Sequence, residues 1–390
     1  MPGRPLRCPV DGPSSSSLVV LTNMQWFYGP VWGRTVRTCE RLPTSRQRDG
    51  CTTAPELHAR QLELVEVLRR NVIHPAVSQV HVLVGEAAPL HRFLGRLPWY
   101  ARLGCKVQLV ETGSRPQFSD YMRQLSGPLR SQTVVFTNQD VFLAAESDWA
   151  AVPQALGTRQ AFFLSRYHRR EQYDVQHSLA ASAAEGVFNQ SLPAAVGSSR
   201  LVERAAAWRS TAAAEHRTAA RTCDMTARRF AMWSRSLCTT ANFGSYDAYV
   251  LRIDRQLSSA ELRLFDYPQN AWGGENLFLF LIQEALGIAA SNPCLSLRAV
   301  HMHCELATAF GVQKVGERRL GKREIIERAL TKLRAVGNHA AHFSHHDIGK
   351  LTLNVTRLES ADALPRAGRD RPQQRARSLS RRGSRVASVR

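Results

Sequence analysis

The stretch Thr133-Val134-Val135-Phe136-Thr137-Asn138-Gln139-Asp140 turns from apolar to polar with no glycine or proline between. Its first half is too short for a helix and rich in β-branched residues, so it reads as a strand buried on both faces. Leu18-Val19-Val20-Leu21, Val80 to Val84, Val107 to Val110 and Ala161 to Leu164 have the same character. Helical segments separate them. Between Pro55 and His74 the residues Leu57, Leu64, Val65, Leu68 and Val72 recur at helical spacing, and Pro75 closes the helix. Further helices are expected around Pro89 to Tyr100 and Phe118 to Leu125. The resulting β-α-β-α-β order predicts an α/β fold with a mostly parallel sheet and helices on both faces.

Strand and helix signals resume at Ala248 to Leu251, Asn276 to Leu286 and Leu297 to Met302, and an amphipathic helix is expected over Lys322 to Val336. The organisation expected is a flexible leader at 1–17, one domain at 18–350 and a disordered Arg/Ser-rich tail at 351–390. An Ala/Arg-rich insertion at 171–235 has too few large apolar residues for a second core. The net charge of +20 is unevenly placed. Residues 365–390 hold nine Arg and one Asp, and Arg200 to Arg235 hold eight Arg against Glu203, Glu215 and Asp224. About +7 is left for the rest, so the charge does not require a nucleic-acid-binding surface; only the basic tail invites that partner. No apolar run is long enough to span a membrane, and the first residues lack a signal peptide's apolar core. As written, the chain points to the cytoplasm; an incomplete N-terminus would point to the Golgi or secretory route. The eight Cys form no Cys-x-x-Cys pair, which leaves free thiols or a few disulfides open. Asn189 and Asn354 stand in triplets of the glycan-acceptor form.

In an open parallel sheet, ligands bind beyond the carboxyl ends of the strands. Asn138-Gln139-Asp140 stands there, and Asp140 could hold a divalent cation or, more simply, make an Asx-turn or cap. A second constellation is Trp272-Gly273-Gly274-Glu275-Asn276, which runs straight into an apolar helix. Two glycines let a ligand approach the backbone, and Trp272 offers a flat face to a sugar ring. Glu275 either serves as a general base or stabilises the helix start. Asp247, just before an apolar strand, is a second candidate base or a turn residue. The histidines His339, His342, His345 and His346 lack a carboxylate pattern and read as a solvated turn.

The segment from Ala271 to His303 resembles the carboxyl half of GT-A glycosyltransferase domains. It is most similar to polypeptide N-acetylgalactosaminyltransferases and, more loosely, to β-1,4-galactosyltransferases with their Trp-Gly-Gly-Glu-Asp motif. The front half resembles poorly characterised GT-A-like proteins, in which an Arg and a Glu on the first helix (here Arg60 and Glu63) precede Asn-x-Asp. A Ser-x-Asp-Ala-aromatic segment, here Ser245 to Tyr249, follows later. The resemblance implies a GT-A-like fold and a metal-dependent transferase that moves a sugar from a nucleotide-diphosphate donor to a glycan or protein acceptor. Asp140, with His301 or His303, would bind Mn²⁺ or Mg²⁺. Trp272, Gly273, Gly274, Glu275 and Asn276 would contact donor and acceptor sugars. Asn138 is a further candidate substrate contact, and Glu275 and Asp247, by the residue reading above, are the candidate catalytic carboxylates. Asn138 departs from the family's first Asp, which removes a charge from the metal site. Two alternatives stay open: a non-catalytic GT-A-like binding protein, and a basic nucleic-acid-associated protein.

Overall fold

The computed structural model describes residues 17–25, 54–168, 238, 246–269, 273–302, 322–335, 337–349 and 351–358. Most of the leader, the basic insertion and most of the tail lie outside the described residues. The first half contains β1 (Leu18–Asn23), α1 (Ala54–Ile73), β2 (Val77–Val84), α2 (Ala87–Leu94), α3 (Pro98–Leu103), β3 (Val107–Glu111) and α4 (Phe118–Ser126). After these come β4 (Thr133–Thr137), β5 (Val141–Leu143), α5 (Val152–Ala155), β6 (Gln160–Leu164) and β7 (Arg166–His168). The carboxyl half adds β8 (Ala248–Leu251), α6 (Ser259–Leu264), α7 (Gly274–Phe280), β9 (Ala289–Ser291), β10 (Ala299–His301), α8 (Lys322–Ala335) and α9 (His345–Gly349).

Seven strands form one sheet in the order β3-β2-β1-β4-β8-β6-β9. β1 lies parallel to β2 and β4, with Val20 beside both Val80 and Val135. β8 alone runs the other way, antiparallel to β4 and β6. The alternation of side chains along each strand feeds two cores. Val19, Leu21, Val134, Phe136, Tyr249 and Leu251 face α4, α6, α7 and α8, while Leu18, Val20, Val135, Ala248 and Val250 face α1 and α2. Both faces are therefore covered, which is why the strands are apolar throughout. On one side an aromatic cluster fills the core, with Phe118 and Phe278 stacked at 4.9 Å and Tyr121 on Phe136 at 4.0 Å.

A second sheet of three short strands, β5-β10-β7, sits beside the first. Asn71 of α1 serves β5 by donating to the Val141 carbonyl at 3.1 Å and accepting from Leu143 N–H at 3.0 Å. The sheet was not expected from the sequence: of its strands only β10 falls in a segment with a signal, Leu297 to Met302, and three-residue strands carry too little period to be paired.

Several expected elements take a different form. The helix expected across Pro89 to Tyr100 is two helices, α2 and α3, because Pro98 lacks an N–H and can only begin a new one. The helix expected from Asn276 begins at Gly274 and continues past Phe280 as a π turn, Leu281–Ala285, before Gly287 at φ 67° ends it. The domain, read from sequence as ending at 350, continues along its own surface to Leu358. Leu353 N–H donates to Tyr246 Oη at 2.8 Å, and Thr356 N–H to the Asn292 carbonyl at 2.8 Å. Among the described residues no helix is long and apolar enough to cross a membrane.

Cys238 and Cys294, both buried, form a disulfide across 56 residues of chain, and Cys105 is disulfide-bonded as well. Of the two cysteine states left open by the sequence, the oxidised one is present. A crosslink closing a loop of this length removes about 4 kcal/mol of unfolded-chain entropy. Replacing Cys238 and Cys294 together by Ala should therefore lower unfolding free energy by about 2–4 kcal/mol. Chemical denaturation without reductant checks this, and a loss below about 0.5 kcal/mol would count against the crosslink.

Candidate functional site

The order of the sheet reverses between β1 and β4: the chain leaves β1 toward β2 and β3 on one side, and β4 lies on the other. A crevice at such a switch point, beyond the strands' carboxyl ends, is where open α/β sheets bind ligands. Thr22 Oγ bridges it by donating to the Thr137 carbonyl at 3.2 Å, and Gln25 N–H donates to Gln139 Oε1 at 2.9 Å. At the end of β1 the buried Asn23 Oδ1 has no hydrogen-bond partner among the described residues.

Asp247 joins this edge because β8 is antiparallel. The residue before a reversed strand lies among the carboxyl ends of its neighbours. Asp247 N–H donates to the Leu164 carbonyl at 3.2 Å, and its own carbonyl accepts from Asn138 N–H at 3.1 Å. The carboxylate is 3% exposed and meets Arg166 Nη1 at 3.2 Å through Oδ2. Its Oδ1 accepts from Asn138 Nδ2 at 2.8 Å. Gln269 Nε2 in turn donates to Asn138 Oδ1 at 3.1 Å, and Tyr121 Oη donates to Gln269 Oε1 at 2.8 Å. Asn138, read from sequence as a sugar contact, thus spends both ends of its amide inside the protein.

Arg166 opens β7, one residue beyond the end of β6. Asn292 fixes that turn by accepting from Ser165 N–H at 3.3 Å and donating to Ser165 Oγ at 2.9 Å. Asp247 first, with burial opposing and Glu275 and Asp140 adding, holds the Arg166 guanidinium above its ordinary pKa. The residue was missed in the sequence although the rule applied to Asp140 would have found it: a charged side chain right after a buried apolar strand.

A second network lies between α1 and the small sheet. Arg60, 4% exposed, donates to Asp140 Oδ2 at 2.6 Å, to Glu63 Oε2 at 2.9 Å and to the Met302 carbonyl at 3.3 Å. Burial would depress the Arg60 pKa, but the Glu63 and Asp140 carboxylates outweigh it and raise it. His301 Nε2 approaches the same Asp140 oxygen at 3.2 Å. The structure therefore joins Asp140 to His301, two of the residues expected to hold a metal, and gives the shared oxygen to a guanidinium. A unit charge about 4 Å from another is repelled by about 4 kcal/mol at an effective dielectric of 20, and a divalent ion by twice that. Among the described residues, a divalent ion at Asp140 would have to displace the Arg60 guanidinium from the oxygen it shares with His301. Among the described residues no group of three or more His, Cys, Asp and Glu is placed to hold one.

Gly273 adopts φ 75° as the residue before α7, a conformation that a side chain would strain. Gly274 opens the helix. Glu275, half-buried in the first turn, accepts from Tyr246 N–H at 3.1 Å and so ties α7 to the segment carrying Asp247. Burial pushes the neighbouring Tyr246 hydroxyl up to about 12. Asn276 points elsewhere, donating to the Leu351 carbonyl at 2.8 Å. Trp272 and His303 lie outside the described residues. His342 and His346 are exposed and far in the chain from these networks.

No family model matches this chain, and neither a curated protein nor a solved structure matches it.

That geometry accounts for Asn at position 138. An Asp there would set two carboxylates in contact, one of them almost wholly buried, and like charges in contact raise the pKa of the pair. Asn138→Asp should lower stability by about 1–3 kcal/mol at pH 7, the cost of an unsatisfied buried group. A carboxyl whose folded pKa is raised destabilises only where the unfolded chain would be ionised, so the loss should shrink on acidification toward pH 4. Urea unfolding at pH 7 and pH 4.5 tests the sign; an equal loss at both would show that charge is not the cause.

Proposed function

We propose that this chain is a GT-A-like glycosyltransferase that moves a sugar from a nucleotide-diphosphate donor to a hydroxyl of a glycan or protein acceptor. The observation that carries the reading is the convergence of Asp247, Arg166, Asn138 and Glu275 at the carboxyl edge of a mostly parallel sheet, beside its switch point. A sheet edge that carries carboxylates and a guanidinium suits a polyhydroxyl ligand joined to phosphate. The half-buried Glu275 is the carboxylate with access to a ligand, since Asp247 is enclosed by its partners. In the proposed step the acceptor oxygen forms a bond to the anomeric carbon as the bond to the diphosphate oxygen breaks. The acceptor proton passes to Glu275, and the electron pair leaves on the diphosphate. No metal is assigned a part, because Asp140 is committed to Arg60. The buried disulfide and the exposed Asn354 support an oxidising compartment, such as the lumen of the secretory route.

One observation favours a second reading, a binding module without turnover: Asp140 and Asp247, the two most enclosed carboxylates of the edge, are both already neutralised by arginines. Glu275→Gln separates the readings. Gln keeps the shape and an acceptor for Tyr246 N–H, so stability should change by less than about 1 kcal/mol. Turnover should fall by about 10²- to 10⁴-fold while donor affinity stays within a few-fold. Full activity in the variant would transfer the role to Asp247. Donor binding with no turnover by the unmodified chain would establish the module.

A further inference from the structure

The segment from Leu351 to Leu358 alternates along the surface of the domain. Leu351, Leu353 and Val355 are half-buried, the first two against the core beside α4 and α7 and the third against the core beside α1. Thr352, Asn354 and Thr356 are exposed. In extended backbone, residues two apart share a face, so Asn354 and Thr356 stand together on the solvent side. The backbone is held on either side of them. Leu353 N–H donates to Tyr246 Oη at 2.8 Å, Thr356 N–H to the Asn292 carbonyl at 2.8 Å, and Leu295 N–H to the Thr356 carbonyl at 3.3 Å. Other asparagine amides are engaged inside the protein, those of Asn71, Asn138, Asn276 and Asn292 among them. Asn354 is the one exposed asparagine among the described residues, and within them no hydrogen bond engages its amide or the Thr356 hydroxyl. The triplet Asn354-Val355-Thr356 thus presents both groups of the N-glycan acceptor pattern on one outward face, where a bulky substituent meets only solvent.

We propose that Asn354 is a modification site that carries an N-linked oligosaccharide. The inference does not use the transferase reading. It rests on the oxidising compartment to which the disulfides point, the buried Cys238–Cys294 pair and the bonded Cys105. The co-substrate is an oligosaccharide carried on a lipid diphosphate, transferred by an enzyme of that compartment. Asn354 Nδ2 forms a bond to the anomeric carbon of the first sugar as the bond from that carbon to the diphosphate oxygen breaks. The electron pair leaves on the diphosphate, and one Nδ2 proton passes to a base of the transferring enzyme. The product leaves the inward face untouched: Leu353 and Val355 keep their packing while the glycan extends into solvent.

The test is production of the full chain behind a cleavable secretory leader in animal cells, followed by peptide N-glycosidase digestion and peptide mass spectrometry. That glycosidase converts a glycosylated Asn to Asp and so marks the site. Asn189→Gln is built into every chain, which leaves Asn354-Val355-Thr356 as the one triplet of this form. Most molecules should carry a single glycan at Asn354, lost in Asn354→Gln and in Thr356→Ala and kept in Thr356→Ser. Thr356→Ala leaves the asparagine in place, so its loss would show that the triplet is what is recognised. The glycan should come off the folded protein without denaturant, and the glycosylated chain should melt no lower than Asn354→Gln, because the amide makes no bond within the described fold. A lower melting temperature with the glycan attached would mean that the fold does not accommodate it, and the proposal fails. Cys238 and Cys294 are assayed in the same preparation by alkylation before reduction. A formed disulfide with Asn354 unmodified would overturn the acceptor and leave the oxidising compartment standing. Free thiols at both cysteines of a folded chain, with Asn354 unmodified, would remove the compartment and this proposal with it.

Discussion

A carboxylate enclosed in a protein is costly unless it is paired, and Asp247, whose Oδ1 accepts from Asn138 while among the described residues its Oδ2 has only the Arg166 charge at 3.2 Å, imposes that requirement on this edge of the sheet. Its answer comes from both neighbouring strands. Arg166 follows β6 and Asn138 follows β4, so the single carboxylate fastens the two strands that flank β8. Gln269 and Tyr121 extend the chain of bonds to α4. Removing one partner of such a pair typically costs about 3–5 kcal/mol, because the other charge is left behind. The pair therefore does more for the arrangement of the edge than for net stability, which a well-packed apolar pair would supply as well.

Arg60 sets up a parallel arrangement on the other side of β4. Buried against Glu63 and Asp140 and reaching the Met302 carbonyl, it joins helix α1 to the loop after β4 and to the end of β10. Met302 N–H closes the contact by donating to the Asp140 carbonyl at 2.7 Å. The two ends of the Asn138–Asp140 loop are thus held by separate guanidinium-centred networks, Asn138 through Asp247 and Arg166, Asp140 through Arg60. A site whose groups are locked by partners of their own is pre-organised, and that is the property a ligand crevice at a sheet edge needs.

The parts of the site legible in the sequence were those that follow a buried strand in the chain. Asn138 and Asp140 come after the apolar run of β4, and Arg166 after that of β6, so one rule places all three at the ligand edge. Asp247 resists that rule. It precedes its strand, and it reaches the edge only because β8 runs antiparallel, a direction that an apolar tetrapeptide does not encode. Glu275 was legible as a helix-start carboxylate, but its bond to Tyr246 N–H was not. Asn138 and Asn276 were legible as side-chain amides, but their protein partners were not, for a shared reason. A side-chain amide offers the same groups to a sugar or to a backbone, and the sequence does not show which is nearer.

By itself the sequence determined the sheet and its helices. Apolar runs of four or five residues, separated by segments with helical spacing, can bury both faces only as a mostly parallel layer between helices. It also determined the uneven charge, since that is a matter of composition. The tertiary structure decided the partners. Which carboxylate meets which guanidinium, that Asp140 belongs to Arg60, and that Cys238 is joined to Cys294 all depend on distances between residues 56 to 81 positions apart in the chain. Such distances are set by strand order and direction, which local patterns leave undetermined because they act only over a turn of helix or a few residues of strand.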